Sequence, residues 1–275
     1  MAFRTDLCVL ECADRMSRLL STTGILIDRI RINELTREVH AGRALWIKRR
    51  TAGARPIIHA ANGFFRLVGN PVVVLGGVDE WRNWEIDCFR RLHGESFAIF
   101  AQGAKAICAE EVPGLSLSQH LKAGTLAPPM LAAAACELRR AHQCPCEAFG
   151  GPWSHGDPHA GNFIYDAAQD RARLIDFEVR HRPGLAAEER HADDLLVLLQ
   201  DLVGRVPRAA WLPLARAFLE AYARPEILAC LRPRLVGPRG LARLWWAVRT
   251  TYLTPGELSA RIGELRAWVD GRLSD

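Results

Sequence analysis

The chain is decided by His155-Gly156-Asp157-Pro158-His159-Ala160-Gly161-Asn162 and by Leu174-Ile175-Asp176-Phe177-Glu178, in which Asp176 follows Asn162 by fourteen positions. Between them, Asn162-Phe163-Ile164-Tyr165 is short, aromatic and β-branched, as strands prefer. Asp166 to Asp170 is polar and turn-like, and Ala172 to Ile175 reads as the return strand. A hairpin over this stretch brings Asn162 and Asp176 to the same end, where an amide oxygen and a carboxylate can share one cation.

Phosphoryl transfer from ATP needs those groups close together: one carboxylate to orient the attacking hydroxyl, and an amide oxygen plus a second carboxylate to hold a divalent ion on the phosphates. The eight-residue loop with IDFE at this distance resembles the catalytic loop and metal-binding segment of the protein-kinase-like phosphotransferases. In character it is closest to aminoglycoside phosphotransferases and lipopolysaccharide core sugar kinases. The resemblance implies an α+β, two-lobed fold, with a small antiparallel sheet lobe at the N-terminus and a larger, mainly helical lobe after it. It also implies ATP, Mg²⁺ (with Mn²⁺ as the alternative) and the roles of three residues: Asp157 catalytic, Asn162 and Asp176 metal-binding.

Upstream, residues 38 to 48 read as a hairpin turning at Ala41-Gly42, whose second strand ends on Lys48. Lys48 is one of only three lysines among 36 basic residues. In the resembled enzymes a strand lysine contacts the nucleotide phosphates and pairs with a helix glutamate. The helix is Asp79 to His93, where Trp81, Trp84, Cys88, Phe89 and Leu92 recur at three- and four-residue steps. Glu85 has the spacing expected of the partner, whereas Glu80 is explained by the helix dipole. Two strands, Ala98 to Ala101 and Ala106 to Glu111, precede a lobe-connecting segment. Glu111 to Pro113 is the expected adenine-contacting hinge.

The boundary therefore falls at residue 113: a nucleotide lobe over 1–113, with a leading helix over residues 1 to 28 and an insertion near 51–78, and a catalytic and acceptor lobe over 114–275. Ala127 to Gln143 reads as an Ala-rich helix, and Arg190 onward as a second, on which Asp194 is the residue expected to brace the catalytic loop. No GxGxxG motif is present. That departure weakens the nucleotide-lobe half of the resemblance and keeps a nucleotide-binding pseudokinase scaffold in view. A compact atypical serine/threonine kinase is a further alternative. Only fifteen residues separate Glu178 from Asp194, with no APE-type motif, which favours a small-molecule or glycan- or lipid-linked hydroxyl acceptor over a peptide.

Composition sets the remaining bounds. The hydrophobic content of 49% and charged content of 24% are those of a globular protein. Net charge is +5, and residues 205 to 275 hold twelve arginines against six acids. Such a face suits an anionic glycan or a lipid headgroup; nucleic acid ranks lower, since no aromatic motif is interleaved with the arginines. The most apolar stretch, Ala60 to Val78, carries Asn62, Arg66 and Asn70, so it reads as buried or lying at a membrane surface rather than crossing a bilayer. The eight cysteines form no regular framework and no signal peptide opens the chain, so reduced thiols in the cytoplasm are expected, with peripheral contact at the inner membrane face left open. Cys144 and Cys146 with His155 and His159 have an atypical spacing for zinc.

Overall fold

A computed structural model describes residues 32–237, 240, 246 and 253–274. The expected leading helix over residues 1 to 28 lies outside these residues.

The first layer is an antiparallel sheet of four strands in the order β1 (Asn33–His40), β2 (Arg43–Arg50), β5 (Ala106–Glu110) and β4 (Ile99–Gln102). β1 and β2 meet in a two-residue turn, and both turn residues have positive φ, Ala41 at 50° and Gly42 at 77°. A turn of that kind matches the twist of the flanking strands. Lys48 lies opposite Leu35 and Ile107 and two residues short of the strand end; β2 continues through Arg49 and Arg50. On one face of the sheet Ile47, Ala106 and Cys108 form a small cluster of their own. The opposite face, which carries Lys48, is covered in part by α2 (Val78–His93).

Helix α2 starts with Asp79 and Glu80 in its first turn and ends with Arg90, Arg91 and His93, so its charges complement its dipole. Its inner stripe, Trp81, Trp84, Glu85, Cys88, Phe89 and Leu92, is buried. That stripe belongs to the main core, which continues without a break into the helical part of the chain.

The segment before α2 is not featureless. Helix α1 (Ala54–Leu67) and strand β3 (Val72–Val74) fill it, and β3 pairs with β11 (Val179–His181), the strand that follows IDFE. Asn62 stands in for a neighbouring strand: its amide accepts from Val74 N at 2.8 Å and donates to Val74 O at 2.9 Å. Ala54 and Ile58 are buried against Val74, Val179 and Ile32.

Residues 111–114 carry the chain from the sheet to β6 (Leu115–Ser116). This strand pairs with β9 (Phe163–Asp166), which pairs in turn with β10 (Arg171–Leu174), while β7 (Pro145–Cys146) and β8 (Gly151–Pro152) pair with each other. Gly114, at φ +119°, passes so close to β9 that a Cβ would lie 2.2 Å from Tyr165 O, so only glycine fits. A capping box at Ser116 and Gln119 opens α3 (Leu117–Lys122). The helical layer is α4 (Pro128–His142), α5 (Ala187–Val203), α6 (Arg208–Tyr222), α7 (Pro225–Leu231) and α8 (Pro255–Ser274). Fully buried Ala134, Ala135 and Ala141 allow α6 to pack closely along α4.

Candidate active site

The β9–β10 hairpin places Asn162 and Asp176 at one end. Leu174 pairs with Phe163, and Ile175 N donates to Asn162 O at 3.0 Å, so the residues flanking the ladder leave it side by side. Asn162 Nδ2 donates to Asp157 O at 2.9 Å, which fixes the amide with its oxygen as the remaining acceptor and ties the start of the loop to its end. Asp157 N donates to His155 Nδ1 at 3.3 Å, and His155 Nε2 meets Ile175 O at 3.1 Å. His159 Nε2 lies 4.0 Å from Asp157 Oδ2, while the His159 ring accepts from Gly161 N and caps the short turn before β9.

Two carboxylates from α5 hold this loop from beneath. Asp194, fully buried, accepts from His155 N at 2.8 Å and Gly156 N at 2.7 Å, and His142 Nε2 is 2.9 Å away. Tyr222 OH completes the chain at 2.7 Å from His142 Nδ1. Burial works against the Asp194 carboxylate, yet its hydrogen bond to His142 and the surrounding histidines outweigh it and depress its pKa. One helical turn or two further on, Asp201 accepts from Ala160 N at 2.9 Å. Sequence reading singled out Asp194 and missed Asp201, although Asp201 lies seven residues on, on the same helix face.

Across from the hairpin, Lys48 Nζ is 2.9 and 3.0 Å from the two Glu85 oxygens, 2.6 Å from Asp176 Oδ1 and 3.4 Å from Glu178 Oε2. Trp81 Nε1 donates to Glu85 Oε2 at 2.6 Å and so fixes the carboxylate from its own helix. Behind Lys48, the buried Arg50 guanidinium stacks on the Trp81 ring at 4.4 Å, donates to Leu75 O at 2.9 Å and comes within 3.7 Å of Glu178. Asn33 also donates to Glu178. Glu178, Arg50 and Asn33 were not singled out from sequence. For Glu178 a signal was present, a second acid two residues after Asp176.

Three carboxylates thus face two cations. Burial works against the Lys48 ammonium, but Asp176, Glu178 and Glu85 outweigh it and its pKa is raised. Burial drives Glu85 up, Lys48 opposes this, and Asp176 and Glu178 add to the rise, so Glu85 sits above the usual carboxylate range. Glu178 is raised for the same reasons. Asp176 goes the other way: burial is outweighed by the charge and hydrogen bond of Lys48, with His159 and His155 helping. Asp176 also holds φ +66°, a strained value for a residue with a side chain, and it remains 37% exposed where Lys48 is 10% exposed.

The residues expected at the hinge sit at the crossover between the sheets. Glu111 N donates to Ala44 O at 2.8 Å, and its carboxylate takes both Arg37 nitrogens, at 2.8 and 2.7 Å, and Trp46 Nε1 at 2.9 Å. Glu111 can therefore offer a base only its carbonyl, and Pro113 has no N–H to offer. On the Lys48 face of β1 and β2, Leu35, Val39 and Trp46 are exposed, as is Leu115 beyond the crossover.

A strand lysine paired with a helix glutamate, a crossover, a carboxylate-braced loop and a hairpin carrying Asn and Asp occur in this order and meet at one place. In this order and in this meeting the chain resembles the protein-kinase-like phosphotransferases. No family model matches the chain, and no curated protein matches it in sequence. Among solved structures, an ethanolamine kinase from Plasmodium vivax matches at 9% identity over 88% of this chain and 79% of its own, with a TM-score of 0.46. A Mycobacterium tuberculosis protein solved with erythromycin matches at 19% identity over 87% and 71%, TM-score 0.36. An aminoglycoside-3'-phosphotransferase of type VIII matches at 16% identity over 82% and 96%, TM-score 0.35.

The donor set can be tested for a metal ion. Among the described residues no three His, Cys, Asp or Glu side chains form a metal cage. The available donors are Asn162 Oδ1 and the Asp176 and Glu178 carboxylates, all oxygens. A hard divalent ion that keeps one or two carboxylates and completes its shell with phosphate oxygens and water fits such a set, whereas a self-contained protein cage does not.

Proposed function

We propose that the protein is an ATP-dependent phosphotransferase that moves the γ-phosphoryl group to a hydroxyl of a small-molecule or glycan- or lipid-linked acceptor. The observation that carries this reading is the contact of Lys48 with both Glu85 and Asp176, with Asn162 and Asp157 bound to one another beside it.

In this reading Lys48 holds the α- and β-phosphates and Glu85 keeps its ammonium in place. Asn162 and Asp176, with Glu178 as a further oxygen donor, hold Mg²⁺ or Mn²⁺. Bound there, the ion neutralises charge on the phosphate oxygens. Adenine lies against Leu35, Val39 and Trp46, with Glu111 to Pro113 at its edge. Asp157 orients the acceptor hydroxyl, whose oxygen bonds to the γ-phosphorus as the bond to ADP breaks; the proton passes late to the Asp157 carboxylate. In a loose transition state alignment matters more than early deprotonation, so an ordinary carboxylate suffices.

The acceptor class follows from what succeeds IDFE. The fifteen residues between Glu178 and Asp194 are taken up by β11, a turn and the start of α5, which leaves no length for a peptide-docking loop. An anionic glycan with peripheral membrane contact is the favoured form, working in the cytoplasm; the six described cysteines are unpaired, in keeping with a reducing compartment. A nucleotide-binding scaffold is the second reading, favoured by the two-residue turn between β1 and β2, which has no loop to fold over phosphates.

Radiolabelled ATP with a cell-envelope extract tests the first reading, with Asp157→Asn as the blank. Turnover in the variant should fall on the order of 10²–10⁴-fold, with nucleotide affinity nearly unchanged. If the wild type binds ATP, labels no acceptor and is indistinguishable from Asp157→Asn in cells, the scaffold reading replaces it.

A further inference from the structure

Among the described residues most arginines have a carboxylate partner. Arg37, Arg43, Arg50, Arg82, Arg91 and Arg180 all have a carboxylate within 4.0 Å. One region departs from this. From Thr51 to Val78 there is no acidic residue at all, while Arg55, His59 and Arg66 recur along one stripe of α1. Arg182, at the end of β11, is anchored beside α1 through its N–H to Pro71 O at 2.9 Å. Arg66 is close enough for its charge to push the Arg182 pKa down, after the effect of burial, and no acid is among the groups acting on Arg182. Among the described residues Arg182 Nη2 is buried and has no hydrogen-bond partner. Two guanidinium groups close enough to repel, with no ion pair to a carboxylate among the described residues, favour an external anion or water beside them.

The same helix carries apolar side chains that its own core does not cover. Ala54 and Ile58 face inward, but Leu67 is 61% exposed and Ile57, Phe64 and Val68 are only half-buried. A helix with arginine on one flank, Phe and Leu on its outer side and no acid has the character of an element that lies in a lipid interface. No helix among the described residues is long and apolar enough to cross a membrane, so such contact would be peripheral.

We propose that the outer face of α1, with Arg182 beside it, is a docking surface for an anionic lipid bilayer. Arg55, Arg66 and Arg182 meet the headgroup phosphates, and Phe64 and Leu67 enter the acyl boundary. The surface is fastened to β3 and β11, and β11 begins one residue after Glu178. Docking therefore holds the Asp176–Glu178 end of the cleft near the membrane, which suits a lipid-linked acceptor; this last step rests on the phosphotransferase reading, and the docking itself does not.

Sedimentation with phosphatidylcholine vesicles, with and without phosphatidylglycerol, tests the surface, and Asp157→Asn protein separates docking from turnover. Binding should require the anionic lipid, weaken with salt and be the same in Asp157→Asn. Arg66→Gln with Arg182→Gln should lower partitioning on the order of 30-fold, Leu67→Ser about 10-fold, and Arg66→Lys with Arg182→Lys should retain it. Nucleotide binding should be unchanged in all of these variants, and thermal melting unchanged in Leu67→Ser and in the double Lys variant. Equal binding to both vesicle types, or no loss in the double Gln variant, overturns the proposal. So does a concentration-dependent dimer that Leu67→Ser abolishes in a protein that ignores vesicles, which would make α1 a subunit interface.

Discussion

Two buried charge clusters lie on either side of the loop around Asp157, and they are built on opposite principles. Behind the loop, Asp194 meets His142, His155 N and Gly156 N, Tyr222 closes the chain, and His181 bonds to Ser154 and Asp193. Donors and acceptors there are matched, and the group is sealed from solvent. In front, Lys48 and Arg50 face Glu85, Asp176 and Glu178, one carboxylate in excess, and the fit is incomplete. Among the described residues Asn33 Oδ1 and Arg50 Nε and Nη1 lack hydrogen-bond partners, and Asp176 sits at positive φ. A satisfied network makes a rigid base. An unbalanced one next to solvent has capacity left for a cation and for phosphate oxygens.

The largest expected consequence falls on the front cluster. Asp176→Ala should lower turnover by ~10³-fold or more, the scale of charge stabilisation a metal-held phosphoryl group loses. The protein should stay folded, because one of three crowded carboxylates is removed. Steady-state labelling of acceptor together with a thermal melt checks both halves; a variant that melts early but still turns over would invert the comparison.

The rear cluster should respond the other way. Asp194→Ala strips the partner from two backbone N–H groups and from His142, and should cost about 3–5 kcal/mol of stability. Denaturant unfolding of Asp194→Ala against Asp194→Asn measures it; Asn, which can still accept a hydrogen bond, should lose less.

A smaller effect separates the clusters by pH. His142, His155 and His191 are all lowered from the usual 6.5, first of all by burial, His191 to about 3. The unfolded chain then binds more protons below pH 6.5, so their contribution is complete above 6.5 and lost as pH falls. Asp194 has a depressed pKa, so its contribution is present above 3.8 and lost only below it. Unfolding free energy should therefore fall by about 2 kcal/mol from His191 alone between pH 7 and pH 5, with His142 and His155 adding in the same direction, and His191→Gln should shallow that slope. A flat profile over this range would show that the histidines titrate freely and that the rear cluster is not sealed.

Much of the site could be read without coordinates. The hairpin followed from a short aromatic and β-branched stretch and a polar turn, and it is the antiparallel return of the strands that brings Asn162 and Asp176 to one end. Lys48 stood out by the scarcity of lysine, and Glu85 by its spacing to Phe89 and Leu92, which matches the resembled family and puts it on the face that packs inward. These are short-range regularities, and the chain encodes them locally. The length of β2 was misjudged, since Arg49 and Arg50 look like a solvated strand end; Arg50 is buried because Trp81 and Glu178 receive it. The gathering of Asn33, Arg50 and Glu178 was invisible for the same reason: partners up to 145 positions apart have no shared period. The sequence shows helix α1 as an apolar insertion, buried or lying at a membrane surface, without saying which of its faces is inner, because that depends on β3, and β3 is a strand only through its pairing with β11. The sequence by itself determined which groups are available and which local element carries each of them. Only the tertiary structure decided which groups share a dielectric and a neighbour, because burial and long-range pairing are properties of the packed chain and not of any segment in it.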